Sequence, residues 1–513
     1  MNGAASQNLS TAEPAPVRLA ELLRRAGVPV GGAVPDALVR SVEYDSRRVG
    51  EGCLFVAVTG FVTDGHRFLP DAVRRGAAAA LVEHAAGSSV PEIVVSDTRA
   101  ALGLVAHEFY GRPSERLRTH GITGTNGKTT TSYLADAVLR GAGMRTGVIG
   151  TLGYRVDDRH YAGDRTSPES LDLARLMASM VDVGVTAVTM EVSSHALALR
   201  RAVGMKLDTA TFTNLSRDHL DFHGSLEDYG AAKKALFDAL AGAAWKPGAT
   251  AVVNADDAFG SEIVASLRSS PRVRTLTYGL SAGDVHAASV EATAGGTNAV
   301  FATPAGRFPV RLRLISAFNV MNALAATGLA VSQGIAPETI AAGLESVDRV
   351  DGRLQLVDGG QDFAVVVDYA HTPDALEKVI GALRGLSPRR LIVVFGCGGD
   401  RDRGKRPLMG AIAVRGADVA IVTSDNPRTE RAAAIIEDIL AGTKGADGRA
   451  SVEVIENRRD AIRRAVGLAS AGDIVLVAGK GHEDYQIVGT EKLRFDDREE
   501  VLAAVTDLRS GRL

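Results

Sequence analysis

The stretch GTNGKTT, residues 124–130, follows a short apolar strand pattern and opens a helical pattern that ends at Gly141. Glycines at such a turn let backbone N–H groups approach phosphate oxygens. Lys128 and Thr129 add an ammonium for the β- and γ-phosphates and a hydroxyl for Mg²⁺. The strict motif spacing requires glycine where this chain has Ile122. A turn that only caps a helix is the alternative, but strand–loop–helix order favours a phosphate loop in a parallel α/β sheet.

The length of the chain requires more than one domain. A chain of 513 residues is too long for one hydrophobic core. At about 150 residues per domain we expect three domains. Pattern shifts place them at residues 17–115, 116–347 and 348–513, after a disordered tail at 1–16.

Each predicted domain alternates strand and helix patterns, which indicates an α/β fold. The first has the helical stretch VRLAELLRRAGV and the apolar runs LFVAVTG and AAAALVEH. The second adds VGVTAVTMEVSSH, and then the alternating stretch ASVEATAGGTNAVFATPAGRFPVRLRL, which predicts inserted or appended antiparallel hairpins. The third has four buried-type runs, FAVVVDYA, RLIVVFGCGGD, ADVAIVTSD and DIVLVAGKG. We expect two doubly wound sheets, central and C-terminal, with ligands at the carboxyl ends of their strands.

Composition narrows the class of protein. A net charge of -3 argues against a general nucleic-acid binder. Cys53 and Cys397 are far apart in sequence, so a disulfide framework is not expected and a reducing compartment is. No apolar run approaches the roughly 20 residues of a membrane span, and the start has no signal-peptide pattern. We expect a cytoplasmic monomer.

Acidic and histidine side chains follow two of the predicted strands. Glu191 ends the run TAVTMEV, where an acid beside a phosphate loop can hold Mg²⁺ or can instead cap the helix at SSHAL. Further on, NLSRDHLDFHGSLEDYGAAKKALF contains His219, Lys233 and Lys234. From spacing alone, this second stretch is equally compatible with a functional site and with a polar surface turn followed by a helix whose two lysines are solvated. A zinc site is a further alternative, but the stretch has no matching thiol and no paired-histidine helix spacing.

The stretch SDNPRTE, residues 424–430, places an acid, an amide, a proline and an arginine directly after a strand. Alone it is typical of a solvated Asx-Pro turn. At the ligand edge of a doubly wound sheet it can instead form part of a charged pocket.

Ten stretches together resemble the Mur ligase family, the ATP-dependent amide-forming enzymes of peptidoglycan precursor synthesis. They are DSRRVGEGCLFVAVTGFVTDGHRF, GITGTNGKTT, MEVSSHALALRR, NLSRDHLDFHGSLEDYGAAK, FNVMNALAA, VDGRLQL, VVDYAHTPDAL, GCGGDRDRGKRPLM, SDNPRTE and VLVAGKGHEDYQ. The combination is most similar to the members that add the third amino acid. The resemblance implies a small uridine-binding domain, a central P-loop ATPase domain and a Rossmann-like C-terminal domain that binds the amino acid.

The resemblance also implies a reaction. ATP and the terminal carboxylate of the substrate would form an acyl phosphate, which an incoming amine then attacks. Four residues would be catalytic: Lys128, Glu191, His219 and Lys233. Mg²⁺ would be bound by Thr129, Glu191, His219 and Lys233, the last as a carbamate (N6-carboxylysine). ATP contacts would come from Gly124, Thr125, Asn126, Gly127, Lys128, Thr129, Thr130, Asn319, Asn322, Arg353 and Asp368.

The same resemblance implies the other two substrates. UDP-N-acetylmuramoyl-L-alanyl-D-glutamate would be bound by Tyr44, Ser46, Phe61, Val62, Thr63, Thr166, Ser167, Ser193 and Arg201. The added amino acid would be bound by Arg401, Asp425, Asn426, Pro427, Arg428, Gly479 and Glu483.

The amino acid is expected to be meso-diaminopimelate. Its distal carboxylate suits an arginine, and L-lysine lacks that group, so a site built around the arginine discriminates between them. Within the resemblance, a DNPR run marks the diaminopimelate-adding members. The alternatives are an L-lysine-adding ligase of the same type, a folylpolyglutamate synthetase-like ligase, and a nucleotide-binding protein without catalysis.

Overall fold

A computed structural model of the chain describes residues 13–60, 63–163, 165–242, 246–270, 272–293, 296–448 and 450–513. Three sheets of four, eleven and six strands follow one another along the chain, with helices packed on them. The three-domain α/β architecture expected from the sequence is therefore confirmed. Of the predicted tail, residues 13–16 form neither helix nor strand, and residues 1–12 lie outside the described part. No helix in the described ranges is long and apolar enough to cross a membrane.

The N-terminal domain is built on four parallel strands in the order β3-β4-β5-β6. A small antiparallel pair, β1-β2, stands beside them. The strands are β1 (Val17–Arg18), β2 (Leu38–Val39), β3 (Ser41–Glu43), β4 (Cys53–Val56), β5 (Ala77–Val82) and β6 (Glu92–Val94). The helices are α1 (Leu19–Ala26), α2 (Leu69–Arg74), α3 (Thr98–Phe109) and α4 (Pro113–Arg116).

The central sheet has the order β10-β9-β8-β11-β7-β12-β13-β14-β15-β16-β17. Its strands are β7 (Arg118–Thr123), β8 (Thr146–Gly150), β9 (Gly153–Val156), β10 (Arg159–Tyr161), β11 (Ala187–Glu191), β12 (Thr209–Phe212), β13 (Thr250–Asn254), β14 (Arg274–Gly279), β15 (Val285–Thr293), β16 (Gly296–Thr303) and β17 (Gly306–Leu312). From β8 to β15 neighbours are parallel, and antiparallel hairpins extend both edges. The predicted hairpins therefore form, and they continue the main sheet.

Helices cover both faces of the central sheet. They are α5 (Lys128–Gly141), α6 (Ser170–Asp182), α7 (Ser194–Ala198), α8 (Leu220–His223), α9 (Leu226–Ala241), α10 (Ala258–Leu267), α11 (Ala317–Ser332) and α12 (Pro337–Glu345). One core packs α5, α11 and α12 on one face, and a second core packs α6, α9 and α10 on the other. Two packed faces explain why the parallel strands are continuous apolar runs.

The C-terminal sheet has the order β18-β19-β23-β20-β21-β22, and all its pairs except β18-β19 are parallel. Alternate residues of one strand, such as Leu391 and Ile392, enter the cores on opposite faces. The strands are β18 (Gln355–Leu356), β19 (Ala364–Asp368), β20 (Leu391–Phe395), β21 (Val419–Val422), β22 (Ser451–Val454), β23 (Ile474–Ala478), β24 (Tyr485–Val488) and β25 (Glu491–Arg494). The helices are α13 (Pro373–Arg384), α14 (Lys405–Gly416), α15 (Ala432–Thr443), α16 (Arg458–Leu468) and α17 (Asp497–Arg509).

Candidate active site

The glycine-rich loop joins β7, in the middle of the central sheet, to α5. Gly124 has φ 146°, and a Cβ there would lie 1.8 Å from Thr213 Oγ1. Only glycine fits, because this backbone passes directly against β12. The Asn126 N–H donates to Asn214 Oδ1 at 2.9 Å, which ties the loop to the residue after Thr213. The predicted helix bounds are confirmed, since α5 runs from Lys128 to Gly141.

Two lysines converge on the carbonyl oxygens of this loop. Lys128 Nζ donates to Gly124 O at 2.9 Å and to Thr125 O at 2.8 Å. Lys233 Nζ, from α9, donates to the same Gly124 oxygen at 2.9 Å and lies 4.1 Å from the ring centroid of Tyr229. Lys233 is 1 % exposed, so it is not a solvated lysine of the helix surface.

Burial changes the protonation of both lysines. Desolvation lowers the pKa of Lys128, while the carboxylates of Glu191 and Asp218 oppose that shift. Desolvation, and then the Lys128 ammonium, lower the pKa of Lys233 well below its ordinary value. A neutral amine is the form that reacts with CO₂ to give a carbamate, so Lys233 has the chemistry that this modification requires.

The Glu191 carboxylate accepts hydrogen bonds from two threonine hydroxyl groups beside the phosphate loop. It accepts from Thr129 Oγ1 and Thr151 Oγ1, both at 3.0 Å, and from the Thr151 N–H at 2.9 Å. Arg353 also reaches this group, since its guanidinium donates to Thr129 Oγ1 at 3.1 Å. The residue that caps α7 is Ser193, which accepts from the Ala196 N–H. Glu191 is therefore not the helix-capping acid that the sequence left open.

His219 lies after β12 and has a left-handed backbone, with φ 53°. Its Nε2 is 3.3 Å from Asp218 Oδ2, and its ring centroid is 4.8 Å from that of His195. Burial lowers the pKa of His219 well below its ordinary range, opposed by the Asp218 carboxylate. The neutral imidazole can act as a metal ligand. The oxygens of Thr129 and Glu191, which are hydrogen-bonded to one another, are the kind of ligand that Mg²⁺ prefers.

Three more of the residues expected to contact ATP, Asn319, Asn322 and Asp368, form hydrogen bonds within the protein. Asn322 donates to Asn319 Oδ1 at 3.1 Å, and its own Oδ1 lies 2.3 Å from where a Gly127 Cβ would stand. Asp368 ends β19 and accepts backbone N–H groups from residues 354 and 370. Burial raises the pKa of Asp368.

The residues expected at the uridine lie in the N-terminal domain. Tyr44 donates its hydroxyl to Asp172 Oδ2 of α6 at 2.6 Å, which links the first two domains. Burial, and then the Asp172 charge, raise the pKa of that phenol. Ser46 is buried in a short 3₁₀ turn, and Thr63 O accepts from the Gly60 N–H. Phe61 and Val62 lie outside the described residues.

The four residues expected at the dipeptide form a connected polar group. Ser167 Oγ donates to Glu191 O at 2.9 Å and to Ser193 Oγ at 3.2 Å. Thr166 Oγ1 lies 3.1 Å from Thr151 Oγ1. The group extends to Arg201, which donates to Ser167 O at 3.4 Å. These contacts connect the expected dipeptide residues to Glu191.

In the C-terminal domain, SDNPRTE follows β21 and is not a solvated turn. Asp425 and Asn426 are 6 % and 3 % exposed. Asn426 donates to Glu483 Oε2 at 2.8 Å, and Lys480 Nζ bridges Asn426 Oδ1 and Glu483 Oε2 at 3.1 and 3.2 Å. Gly479, with φ 121°, would place a Cβ 2.5 Å from Asp425 Oδ2. Burial, and then repulsion from Asp425, raise the pKa of Glu483.

Two guanidinium groups at this end have carbonyl partners only. Arg428 donates to Gly399 O at 2.8 Å, and Arg401 donates to Asp400 O at 3.0 Å. Within the described ranges neither forms an ion pair with a carboxylate. Burial, and then the Arg401 charge, lower the pKa of Arg428, so the two cations repel one another. A carboxylate bound between them would relieve that repulsion.

One cavity of about 1010 Å³ brings the two domains' groups together. From the central domain it is lined by Thr166, Ser167, Ser193, Arg201 and His219, and from the C-terminal domain by Arg401, Asp425, Asn426, Arg428, Gly479 and Glu483. The cavity is not lined by Lys128, Lys233 or Glu191, nor by the residues expected at the uridine. Thr151 connects the two groups, since it lines the cavity and hydrogen-bonds to Glu191.

The sequence did not single out several residues of this region. Asp374, near the start of α13, accepts from Asn126 Nδ2 at 2.7 Å and from Ser216 Oγ at 3.2 Å. Thr151, Lys405 and Lys480 also border the cavity or its charged groups. A signal existed for Asp374 and Lys405, because each lies in a family-like stretch, VVDYAHTPDAL or GCGGDRDRGKRPLM. Residue type alone did not separate these side chains from solvated ones.

Comparisons with known proteins match the chain along most of its length. Three family models match in order: "Mur ligase family, catalytic domain" at residues 38–110, "Mur ligase middle domain" at 122–330 and "Mur ligase, glutamate ligase domain" at 352–481. The UDP-N-acetylmuramoyl-L-alanyl-D-glutamate--2,6-diaminopimelate ligase of Geobacillus kaustophilus is 47% identical over 93% of this chain and 96% of its own. The Geobacter metallireducens protein of the same name is 45% identical over 96% and 99%.

A solved structure gives the same result for the fold. A structure of UDP-N-acetylmuramoyl-L-alanyl-D-glutamate--2,6-diaminopimelate ligase superposes with a TM-score of 0.68 at 33% identity, and covers 95% of this chain and 99% of that one. The family models, the relatives and the solved structure agree with one another, and the chain belongs to the Mur ligase family.

Proposed function

We propose that this chain is an ATP-dependent ligase that adds meso-diaminopimelate to UDP-N-acetylmuramoyl-L-alanyl-D-glutamate through an acyl phosphate. The observation that carries the proposal is the charge pattern of the cavity. Arg401 and Arg428 lack carboxylate partners in the described ranges, and two acids, the buried Asp425 and the half-buried Glu483, line the same cavity. An amino acid whose far end bears both an ammonium and a carboxylate can pair with the two acids and with the two arginines.

The central domain supplies the phosphate chemistry. Lys128 is positioned to move from its loop carbonyls to the γ-phosphate of ATP, and loop N–H groups would hold the other phosphates. Mg²⁺, bound by Thr129, Glu191, His219 and the carbamate of Lys233, would neutralise phosphate charge. Asn319, Asn322, Arg353 and Asp368 would hold the nucleoside.

The dipeptide end of the nucleotide sugar would enter the same cavity. Thr166, Ser167 and Ser193 present hydroxyl groups there, and Arg201, which pairs with Glu169 at 2.9 Å, also lines it. The uridine would lie on the N-terminal domain near Tyr44 and Ser46. In this proposal residues 17–115 bind the nucleotide sugar, residues 116–347 bind ATP and carry the chemistry, and residues 348–513 bind the amino acid. The chain acts as a monomer in the cytoplasm.

The alternatives differ in features that the chain carries. Lysine-adding ligases would have no use for two unpaired guanidiniums at the far end of the amino acid. Folylpolyglutamate synthetases have no counterpart of the N-terminal unit, and here residues 38–110 match a Mur ligase model. A binding protein without catalysis would not need two lysines whose ammonium groups both contact the phosphate loop.

Phosphate release by the purified full-length chain tests the proposal. We expect release only when ATP, Mg²⁺, UDP-N-acetylmuramoyl-L-alanyl-D-glutamate and meso-diaminopimelate are all present, and a product heavier by one diaminopimelate residue in mass spectrometry. Release that is independent of the nucleotide sugar, or no release at all, would contradict it.

A further inference from the structure

Lys405 is a buried cation that the family comparison does not explain. It is the first residue of α14 in the C-terminal domain, and it is 6 % exposed. It lines the cavity of about 1010 Å³ that both domains share. Across the described ranges, Lys405 has no hydrogen-bond acceptor and no ion-pair partner.

The other buried lysines of this region are all satisfied. Lys128 and Lys233 donate to loop carbonyls, and Lys480 donates to an amide and a carboxylate. A largely buried ammonium without a hydrogen-bond partner is costly, because it loses much of its hydration and no hydrogen bond replaces it. The carboxylate at the start of α14 does not serve Lys405, since Asp402 accepts from the Gly404 N–H at 2.8 Å and pairs with Arg217 at 3.2 Å. A ligand anion would remove the penalty.

The position of Lys405 defines which anion it can meet. It lines the same cavity as Asp218 and His219, on the phosphate side, and as Asp425, in the proposed amino-acid site. The cavity therefore brings Lys405 to the space that the acyl phosphate and the incoming amine would share. Arg401 and Arg428 already serve the far end of the amino acid in the proposed function.

We infer that Lys405 is a catalytic residue that contacts the oxyanion of the reacting acyl group. This inference rests on the proposed function. When the amine nitrogen attacks the acyl carbon, a C–N bond forms and the C=O electron pair moves to oxygen. The oxyanion pair then re-forms the C=O bond as the C–O bond to phosphate breaks, phosphate leaves with the electron pair of that broken bond, and the amide nitrogen loses a proton to the phosphate. The Lys405 ammonium donates to the oxygen while its charge is largest.

The test compares Lys405→Met and Lys405→Arg with the wild-type chain. We expect Lys405→Met to lower kcat by about 100-fold or more, as for loss of one oxyanion donor, with the KM values for meso-diaminopimelate and ATP nearly unchanged. Lys405→Arg should restore part of kcat. Lys492→Met is the control, because Lys492 also lines the cavity but is exposed and stacked 3.9 Å from the ring centroid of Tyr485.

Thermal unfolding without ligands gives a second readout. Removal of an unpaired buried cation should leave the midpoint unchanged or raise it, whereas loss of a structural lysine would lower it. A higher KM for diaminopimelate at unchanged kcat would overturn the inference, because Lys405 would then hold the amino acid instead. Wild-type kcat in Lys405→Met would also overturn it. A wild-type chain that releases no phosphate would instead reject the proposed function.

Discussion

At the scale of single residues, Lys233 shows how a polar helix face can hide a functional side chain. Tyr229, Lys233, Phe237 and Leu240 are buried on one stripe of α9, although Lys233 and Lys234 are neighbours in sequence. Lys234 points outward and pairs with Asp238. Helical spacing therefore carried a signal for Lys233, because it repeats at the interval of the apolar residues.

Lys233→Ala is predicted to lower kcat by about 100-fold or more, because a carbamate next to the phosphate loop would be lost. Acetate or propionate should restore part of the rate by filling the space with a carboxylate. Steady-state phosphate release measures both effects. Lys234→Ala is the matched control and should retain wild-type kcat; a variant of Lys233 that is indifferent to added acid would count against the carbamate.

Arg428→Ala is predicted to lower kcat/KM for meso-diaminopimelate by about 100-fold or more, since a charge-assisted contact to the distal carboxylate disappears from the cavity. The KM for ATP should stay the same. Initial rates at varied diaminopimelate and ATP concentrations separate the two. Arg403→Ala, a mostly exposed arginine paired with Glu430, is the control. Equal loss of both apparent affinities would refute the assignment.

At the scale of elements, the phosphate loop depends on how closely β7 and β12 approach. Gly124→Ala is predicted to raise the KM for ATP strongly, because the new methyl group would collide with Thr213 Oγ1. The collision should also destabilise the chain by about 2 kcal/mol. Gly143→Ala, beyond the other end of α5, also has positive φ but open space, so it should cost about 1 kcal/mol and leave KM alone. Kinetics and thermal unfolding together measure this; unchanged ATP kinetics in Gly124→Ala would contradict it.

The sequence predicted the positions of helices and strands better than it predicted which of them lie side by side. The start and end of α5 and the four buried strands of the C-terminal sheet follow from apolar runs punctuated by glycine, which are local signals. The pairing of β14 with β15 joins the hairpins to the central sheet. This pairing depends on backbone hydrogen bonds between different segments of the chain. Lys405 and Asp374 border the site only because the C-terminal domain packs on the central one. No local pattern encodes such a contact.

At the scale of the whole molecule, few polar contacts hold the C-terminal domain against the phosphate loop. Asp374 bonds to Asn126 and Ser216, and Arg217 pairs with Asp402 at 3.2 Å. Interfaces of this kind permit domain motion. The arrangement places the cations of the C-terminal domain over the central site, so we expect substrate binding to favour this closed state.

Asp374→Ala is predicted to open the ligand-free chain, because it removes both bonds to the loop segments. Small-angle X-ray scattering should show a larger radius of gyration than for the wild type, while the midpoint of thermal unfolding stays the same. Lys378→Ala is the control, since Lys378 pairs with the same carboxylate within α13 and crosses no domain boundary. An identical scattering curve for Asp374→Ala and wild type would show that other contacts hold the domains.

The account depends most on the amino acid that the cavity selects. The direct test is kcat/KM for meso-diaminopimelate against L-lysine with the wild-type chain, at saturating ATP, Mg²⁺ and UDP-N-acetylmuramoyl-L-alanyl-D-glutamate. Because lysine would leave the half-buried Arg428 and the exposed Arg401 of the cavity without a carboxylate partner, we predict a preference for diaminopimelate of about 100-fold or more. Equal values, or faster turnover with L-lysine, would contradict the account.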